Sequence, residues 1–425
     1  MTRAAGAGGA ALRPVAALLA AVFMAMAGSG PLGTAVSLGM EAAALPRPVI
    51  GLVMSAYFAG LTLGSLLAYR VVLRVGHIRA FTAFASVVSA VTLLYPLLPP
   101  PYAWVPLRLA EGFCMAGIFI CVESWLNDHA GPASRGRILA SYMICVYLGQ
   151  ASGQAALALD GGGDAMRVFL LVSVLISFAV LPVALTRMPS PALPEVISFP
   201  ARRLWAASPL GIAGTIASGL VLGSVYALGP VFARDAAGFE AGGAALFMAV
   251  LIAGGVLLQW PLGRLSDAFD RRRVIVATLA LLTAAALLVA FMAERGGLPL
   301  LGAAAAFGGV ALALYPLCVA HTNDHLSRGD RVAASGGLVL AYSAGATAGP
   351  LLASAAMVAL GGRGLFLFAA AVGLLGLGFA AWRLLARAPV PAERQGTFQP
   401  QPGTTPIAAP LDPRTALPAA GTAAS

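Results

Sequence analysis

The 425-residue chain contains no lysine, and charged residues of all kinds make up only 10% of it. A soluble protein of this length needs polar residues to cover its surface, so the shortage excludes a water-soluble globular domain. Cysteine is equally sparse. Cys114, Cys121, Cys145 and Cys318 all fall in apolar stretches, with no Cys-x-x-Cys and no histidine at metal-ligand spacing, which leaves them as small core or lipid-facing residues. The chain also lacks a Gly-Lys-Ser/Thr phosphate loop, a His-Glu-x-x-His helix and a Gly-x-Ser-x-Gly elbow. Those gaps argue against an ATP-driven pump and against an enzyme, and no cofactor or metal is expected.

Apolar residues fill the space: 60% of the sequence is hydrophobic and its mean hydropathy is +0.89. Runs of about 20 apolar residues, enough to cross a hydrocarbon core, recur from end to end, so the solvent for most side chains is lipid. All 26 basic residues are arginine and the net charge is +10, which raises nucleic-acid binding. Their distribution excludes it. The arginines stand singly or in short groups between apolar runs, as membrane topology signals do, and not in one basic stripe.

Spans are expected near 15–38, 49–69, 78–98, 103–124, 138–158 and 166–186, and again near 208–232, 243–263, 274–293, 298–320, 333–358 and 364–386. Arg3 and Arg13 before the first run could mark a signal peptide. The run continues to about Leu38, however, and an uncleaved first helix is expected. With the N-terminus in the cytoplasm, the inside segments hold twenty arginines. The outside loops hold five, Arg47, Arg167, Arg234, Arg295 and Arg363, and Arg108 lies within a span. This bias predicts a multi-pass protein of the cytoplasmic (inner) membrane with both termini cytoplasmic.

Residues 188–207 carry four prolines with Arg202 and Arg203 and read as a cytoplasmic linker between a first six-helix bundle, 1–187, and a second, 208–387. Residues 388–425 hold eight prolines and little hydrophobic periodicity, and a disordered cytoplasmic tail is expected there. The halves repeat. A shift of 196 positions lays Asn127, Asp128, His129 and Arg135 on Asn323, Asp324, His325 and Arg331, and Gly149 and Gly153 on Gly345 and Gly349. Parallel repeats of this kind build a central site between two halves that rock against each other.

Several motifs carry chemistry. After the eighth span the sequence runs Gly263-Arg264-Leu265-Ser266-Asp267-Ala268-Phe269-Asp270-Arg271-Arg272-Arg273, which resembles the G-x-L-a-D-r-x-G-r-r loop of the major facilitator superfamily. The loop after the second span, Tyr69 to Arg79, keeps Arg70, Gly76 and Arg79 but has Leu73 where the aspartate would stand, so Asp267 becomes the expected gate carboxylate. A carboxylate at such a helix end can pair with arginine or with a helix N-terminus and latch a gate. In the fourth span Arg108-Leu109-Ala110-Glu111-Gly112 is similar to the family's R-x-x-q-G pattern. Arg108 and Glu111 lie three apart on one helical face. They are either a cargo or proton site or a self-neutralised structural pair, since an intramembrane charge needs a partner or a cavity.

The fifth span has Gly149-x-x-x-Gly153-Gln154, where drug/proton antiporters typically place proline after the glycine. Proline follows only in the second half, at Pro350. The run Glu123-Ser124-Trp125-Leu126-Asn127, with Arg135-Gly136-Arg137 and with Tyr315-Pro316-Leu317 and His321-Thr322-Asn323-Asp324 in the second half, resembles the YcaD-like branch of the superfamily. The resemblance spans roughly residues 12–387 and implies an all-α membrane fold of twelve helices in two pseudo-symmetric bundles. It also implies a monomer that moves a small solute by alternating access, driven by an ion gradient, with protons as the candidate ion, or by the solute's own gradient. The expected substrate or proton pathway comprises Arg108, Glu111, Gln150, Gln154, Tyr226 and Gln259. The expected gate comprises Gly263, Asp267, Arg271, Arg272 and Arg273 with Glu123, Asp128 and Arg135. A competing reading, prompted by the missing first-half aspartate and the proline-rich tail, is a membrane sensor or scaffold that keeps the fold without transport.

Overall fold

The computed structural model describes residues 15–99, 102–131, 134–161, 165–186, 191, 200–386, 391, 395–401 and 403–412. Among them there is no strand. Helix is what the composition demands: in lipid every backbone N–H and C=O must find a partner within the segment. The long helices are α1 (Ala16–Ala42), α2 (Arg47–Leu67), α3 (His77–Leu94), α4 (Trp104–His129), α5 (Arg135–Leu159) and α6 (Ala165–Phe178) in the first half. The second half has α7 (Pro209–Asp235), α8 (Ala241–Ala268), α9 (Arg271–Met292), α10 (Gly297–Asp324), α11 (Arg328–Leu360) and α12 (Gly364–Ala386). The helix α6 is interrupted at Ala179 and resumes over Val180–Ala184. Pro182 explains the break, because it cannot donate to the carbonyl of Phe178 four residues earlier.

Eleven helices among the described residues are long and apolar enough to cross a membrane, against the twelve expected. The difference is α5. Its 25 residues would reach about 37 Å at 1.5 Å per residue, but Arg135, Arg137, Ser141, Gln150, Ser152 and Gln154 make it too polar to qualify by composition. That polarity has a use, since α5 lines the central cavity described below.

Packing follows the repeat. In the first half α1 lies against α5 and α6, α2 against α4, and α3 against α4 and α6; in the second, α7 lies against α11 and α12, α8 against α10, and α9 against α10 and α12. The halves meet along α2 with α11 and along α5 with α8, again as symmetry equivalents. Small residues permit the tightest approaches. A Cβ at Gly153 would come within 2.1 Å of the Ala27 carbonyl oxygen on α1, and one at the repeat-related Gly349 within 2.4 Å of the Leu220 oxygen on α7. The histidines also repeat: His129 Nδ1 lies 2.9 Å from the Trp125 oxygen, and His325 Nδ1 lies 2.9 Å from the His321 oxygen.

Of the expected linker, 188–190 and 192–199 lie outside the described residues. Ala201–Ala207 forms a short helix whose Leu204 packs with Ile212, Tyr315, Val319, Ala334 and Leu338. The expectation of a disordered tail fails for 395–401 and 403–412. These residues fold back against both halves and end in a buried 3-10 turn, Pro406–Leu411, that packs on α4, α5 and α11. Hydrophobic periodicity is a poor guide here, because the segment is held by buried hydrogen bonds, by Ile407 and Leu411 in the main apolar core and by the partly buried Phe398 packed against it.

Candidate functional site

A cavity of about 180 Å³ lies between the halves. It is walled by α1, α2, α4 and α5 on one side and α7, α8, α10 and α11 on the other, with Gly403 and Thr404 of the tail at its margin. Most of the wall is apolar, as in small-molecule sites generally, and the polar groups are few and convergent. Five of the six expected pathway residues line it: Arg108, Glu111, Gln150, Gln154 and Tyr226. Gln259 does not. It is buried on α8 away from the cavity, and its Nε2 finds no hydrogen-bond partner among the described residues.

The ionic centre of the cavity is the α4 pair. Arg108 Nη1 donates to Glu111 Oε2 at 2.8 Å, and the two side chains are 4% and 1% exposed. Tyr95 Oη donates to the same carboxylate oxygen at 3.1 Å. The guanidinium lies 5.0 Å from the Tyr57 ring centroid, and Nη2 reaches Met54 Sδ at 3.3 Å. Helical spacing alone brings the two charges together, and the aromatic and sulfur contacts solvate what remains of the cation.

On α5 the two glutamines behave differently. Gln154 is taken up by α1: its Nε2 donates to the Gly30 oxygen at 2.9 Å, and its amide exchanges hydrogen bonds with Thr34 Oγ1. Gln150 faces across the halves, where Tyr226 Oη on α7 lies 3.5 Å from its Oε1. Met143, Val146, Tyr147, Gln150 and Gln154 all line the cavity at three- and four-residue intervals. That periodicity was available in the sequence and would have added Tyr147 and Met143 to the expected residues.

The arginine-poor end is tied shut across the halves. Arg47 at the start of α2 pairs with Asp235 at the end of α7 and donates to the Met357 oxygen on α11. Arg234 lies 3.7 Å from Glu41 on α1. At the arginine-rich end, the α8–α9 loop builds a network around Arg271, which is 1% exposed. Its guanidinium pairs with Asp267 at 3.0 Å and with Asp324 at the end of α10. Arg272 pairs with Asp270 at 2.7 Å, and Asp270 also caps α9 by accepting from the Arg272 backbone N–H. Burial pushes the Asp270 carboxyl up, but the hydrogen bonds from Arg272 and the charges of Arg272 and Arg273 outweigh it and hold the group below the usual carboxylate range. Arg273 is exposed, and Gly263 packs under the tail residue Phe398.

Of the first-half gate residues, Asp128 is 47% exposed and sits 3.9 Å from His129, while Arg135 donates to the Ala130 oxygen at 3.1 Å. Neither joins a network like that of Arg271. In the loop alignment, Leu73 stands for Asp267 and His77 for Arg271, so the first half lacks both members of the latch that would engage Asp128. His77 is buried against Trp125, and its Nε2 has no hydrogen-bond partner among the described residues. Glu123 is fully buried on α4 and accepts from Tyr142 Oη at 2.8 Å and from the hydroxyls of Thr404 and Thr405. Among the described residues no cationic side chain pairs with it. Asp324 and the two threonines were not among the expected site residues. The repeat pointed to Asp324, and nothing in the tail's composition points to Thr404 or Thr405.

The family model of the major facilitator superfamily matches residues 18–260 and 215–421. The uncharacterised MFS-type transporter YcaD of Salmonella enteritidis PT4 (strain P125109) is 31% identical over 373 residues, covering 85% of this chain and 94% of that one. The protein of the same name from Escherichia fergusonii is 31% identical over 366 residues, with the same coverage. Among solved structures, the nucleoside transporter NupG superposes with a TM-score of 0.75 at 14% identity, covering 88% of this chain and 99% of that one. A bacterial homologue of the human lysosomal transporter Spinster, inward-facing and occupied, superposes at 0.70 with 18% identity, covering 90% and 96%. At such identities these two similarities concern the fold alone. Fold, family model and relatives agree, and the chain belongs to the major facilitator superfamily, in its YcaD-like branch, as a multi-pass membrane transporter and not an enzyme.

Proposed function

We propose that the protein is a secondary transporter that moves a small solute through the cavity between its halves by alternating access. The observation that carries this reading is that cavity itself: both halves build it, it holds a few convergent polar groups, and inter-half ion pairs close one end. The excess of arginine at the other end supports a cytoplasmic orientation for that face and for both termini in an inner membrane, with the first bundle over 1–187 and the second over 208–387. The cavity does not favour a strongly anionic cargo, because Glu111 already neutralises Arg108. Glu111 is the acidic group placed to carry a coupling proton, and Asp267, Arg271 and Asp324 are the inner latch that must rearrange when the cavity opens inward. The protein acts as a monomer.

The test is uptake and efflux by purified protein in proteoliposomes against a pool of labelled metabolites and drugs, with and without an imposed pH gradient. Gradient-dependent movement of a solute that disappears in Glu111→Gln establishes a proton-linked carrier. Movement that ignores the pH gradient leaves a carrier with another driving force. No movement across a broad pool by folded protein favours the scaffold reading, which the packed tail also supports. A scaffold should lose its phenotype when residues 388–425 are removed, whereas a carrier should keep its flux.

A further inference from the structure

The C-terminal segment closes the space between the halves at the arginine-rich end. Its backbone first engages the second-half latch. The Gly396 oxygen accepts from Arg271 Nη2 at 2.8 Å, the Gly396 N–H donates to Asp324 Oδ1 at 3.1 Å, and the Phe398 N–H donates to Asp267 Oδ1 at 2.7 Å. The Phe398 ring lies so close over α8 that a Cβ at Gly263 would meet it at 2.2 Å. Further on, Gly403 and Thr404 reach the wall of the central cavity, with Gly403 against the Tyr342 ring. Thr404 and Thr405 then both donate to the buried Glu123 of the first half, and Asn127 Nδ2 donates to the Ile407 oxygen at 2.6 Å. Gln401 Nε2 donates to Asp412 Oδ2 at 2.6 Å, which fastens the segment to itself around the turn.

Three features of this path go together. The segment touches both halves, so it resists their relative rotation. It lines the cavity, so it stands where a solute would pass between the cavity and the arginine-rich face. It also supplies two of the three hydroxyl partners of a buried carboxyl group that has no cationic partner among the described residues, and such buried polar contacts give a docked segment its register. In the sequence eight residues, 387–394, separate it from the end of α12, so its docking is an intramolecular event.

We propose that the vestibule at the arginine-rich end is a binding site for the chain's own C-terminal segment, residues 395–401 and 403–412, which plugs the central cavity, and that a transport cycle requires the plug to leave. The claim that transport is thereby held back rests on the transporter reading above; the claim that the segment occupies the vestibule does not.

The experiment measures access to the cavity and needs no cargo. In a background with Cys114, Cys121, Cys145 and Cys318 replaced by serine, Tyr342→Cys is reacted with a membrane-impermeant maleimide in inside-out vesicles. Removing residues 387–425 is expected to speed the reaction more than tenfold. The full-length double variant Thr404→Ala/Thr405→Ala, which keeps the tail but takes away its bonds to Glu123, is expected to speed it about tenfold or more, since the two lost hydrogen bonds are together worth roughly that factor. Equal rates in all three proteins overturn the plug. If the truncated protein fails to reach the membrane, the double variant decides alone, and an unchanged rate in it overturns the plug. In parallel proteoliposome assays, faster labelling with no solute movement in any form upholds the plug and refutes transport. Solute movement with unchanged labelling upholds transport and refutes the plug.

Discussion

Glu111→Gln is the most informative single change, because it is nearly isosteric and strips the counter-charge from a guanidinium that is almost completely out of water. Arg108 and Glu111 are 4% and 1% exposed and 2.8 Å apart. Removing one partner of such a buried pair costs about 3–5 kcal/mol, since the other charge is left uncompensated. The amide oxygen of glutamine can still accept from Arg108, and a hydrogen bond to a charged group returns about 1.5–3 kcal/mol. The net loss is therefore about 2 kcal/mol. The Tyr57 ring at 5.0 Å and Met54 Sδ at 3.3 Å already contribute in the wild type and offset nothing further. Changing both residues, Arg108→Gln/Glu111→Gln, removes the stranded charge and should restore about 1 kcal/mol relative to Glu111→Gln. The assay is a four-corner cycle of denaturant unfolding on purified protein in micelles. Additivity within about 0.5 kcal/mol would refute the coupling on which the reasoning rests. The same proteins separate the two roles of the pair. A proton site loses its response to an imposed pH gradient in both variants, whereas a purely structural pair regains it in the double one.

Other expectations follow from the ends of the bundle. Asp324→Asn should cost about 3 kcal/mol, because Asp324 is 2% exposed beside the buried Arg271, while Asp267→Asn, whose side chain is 30% exposed, should cost about 1 kcal/mol or less; thermal unfolding of the two variants checks the order. Arg47→Ala frees both Asp235 and the Met357 oxygen, and a cysteine at a cavity position should then react faster with an impermeant reagent added at the arginine-poor face; an unchanged rate would mean that these contacts do not hold that end closed. Gly153→Leu must push α1 and α5 apart and should destabilise by about 3 kcal/mol, seen as lost monodisperse protein on size exclusion, whereas Gly153→Ala should be milder but still measurable. The Asp270 carboxyl is held below its usual range, so its contribution is present above the unfolded carboxylate value and fades as pH falls through the lowered folded one; Asp270→Asn should be about 1 kcal/mol less stable than wild type at neutral pH and equal to it in strong acid, by unfolding at the two pH values.

Much of this architecture was legible in the sequence because lipid leaves few alternatives. Apolar runs of spanning length must be helices, and the 196-residue shift between Asn127-Asp128-His129 and Asn323-Asp324-His325 implied the symmetry that the helix contacts display. Arg108 and Glu111 were legible for the same reason, since charges three apart on an apolar helix have little else to meet. What escaped was whatever depended on contacts between distant segments. Gln154 looked like a cavity group, and although it lines the cavity its amide is spent on Gly30 and Thr34 of α1. Asp128 looked equivalent to Asp324, yet one is 47% exposed and the other 2%, because the partner that buries Asp324 is an arginine in one half and His77 in the other. The tail read as disordered because proline content and weak periodicity report only local preference, and its order comes from docking against Glu123, Asn127 and the α8–α9 loop.

The loss of symmetry between the halves and the position of the tail have a common physical origin. In the second half, Asp267, Arg271 and Asp324 complete a latch whose remaining hydrogen-bonding capacity is directed at Gly396 and Phe398, so the same charges that hold α8, α9 and α10 together also anchor the start of the plug. In the first half that latch is missing, and the buried acidic group is instead Glu123, one helical turn before Asn127, with the tail hydroxyls as its principal donors. A tail bound to both halves thus spans one site that is preformed and one that is incomplete without it. Its departure would leave the second-half latch intact and the first-half carboxylate with Tyr142 alone. Glu123→Ala should therefore release the tail from the first half while the contacts to Arg271 persist, and a cysteine at Gly403 should become reactive from the arginine-rich face well before one at Phe398. Simultaneous release of both positions would show that the plug leaves as one rigid unit and that the two halves contribute equally to holding it.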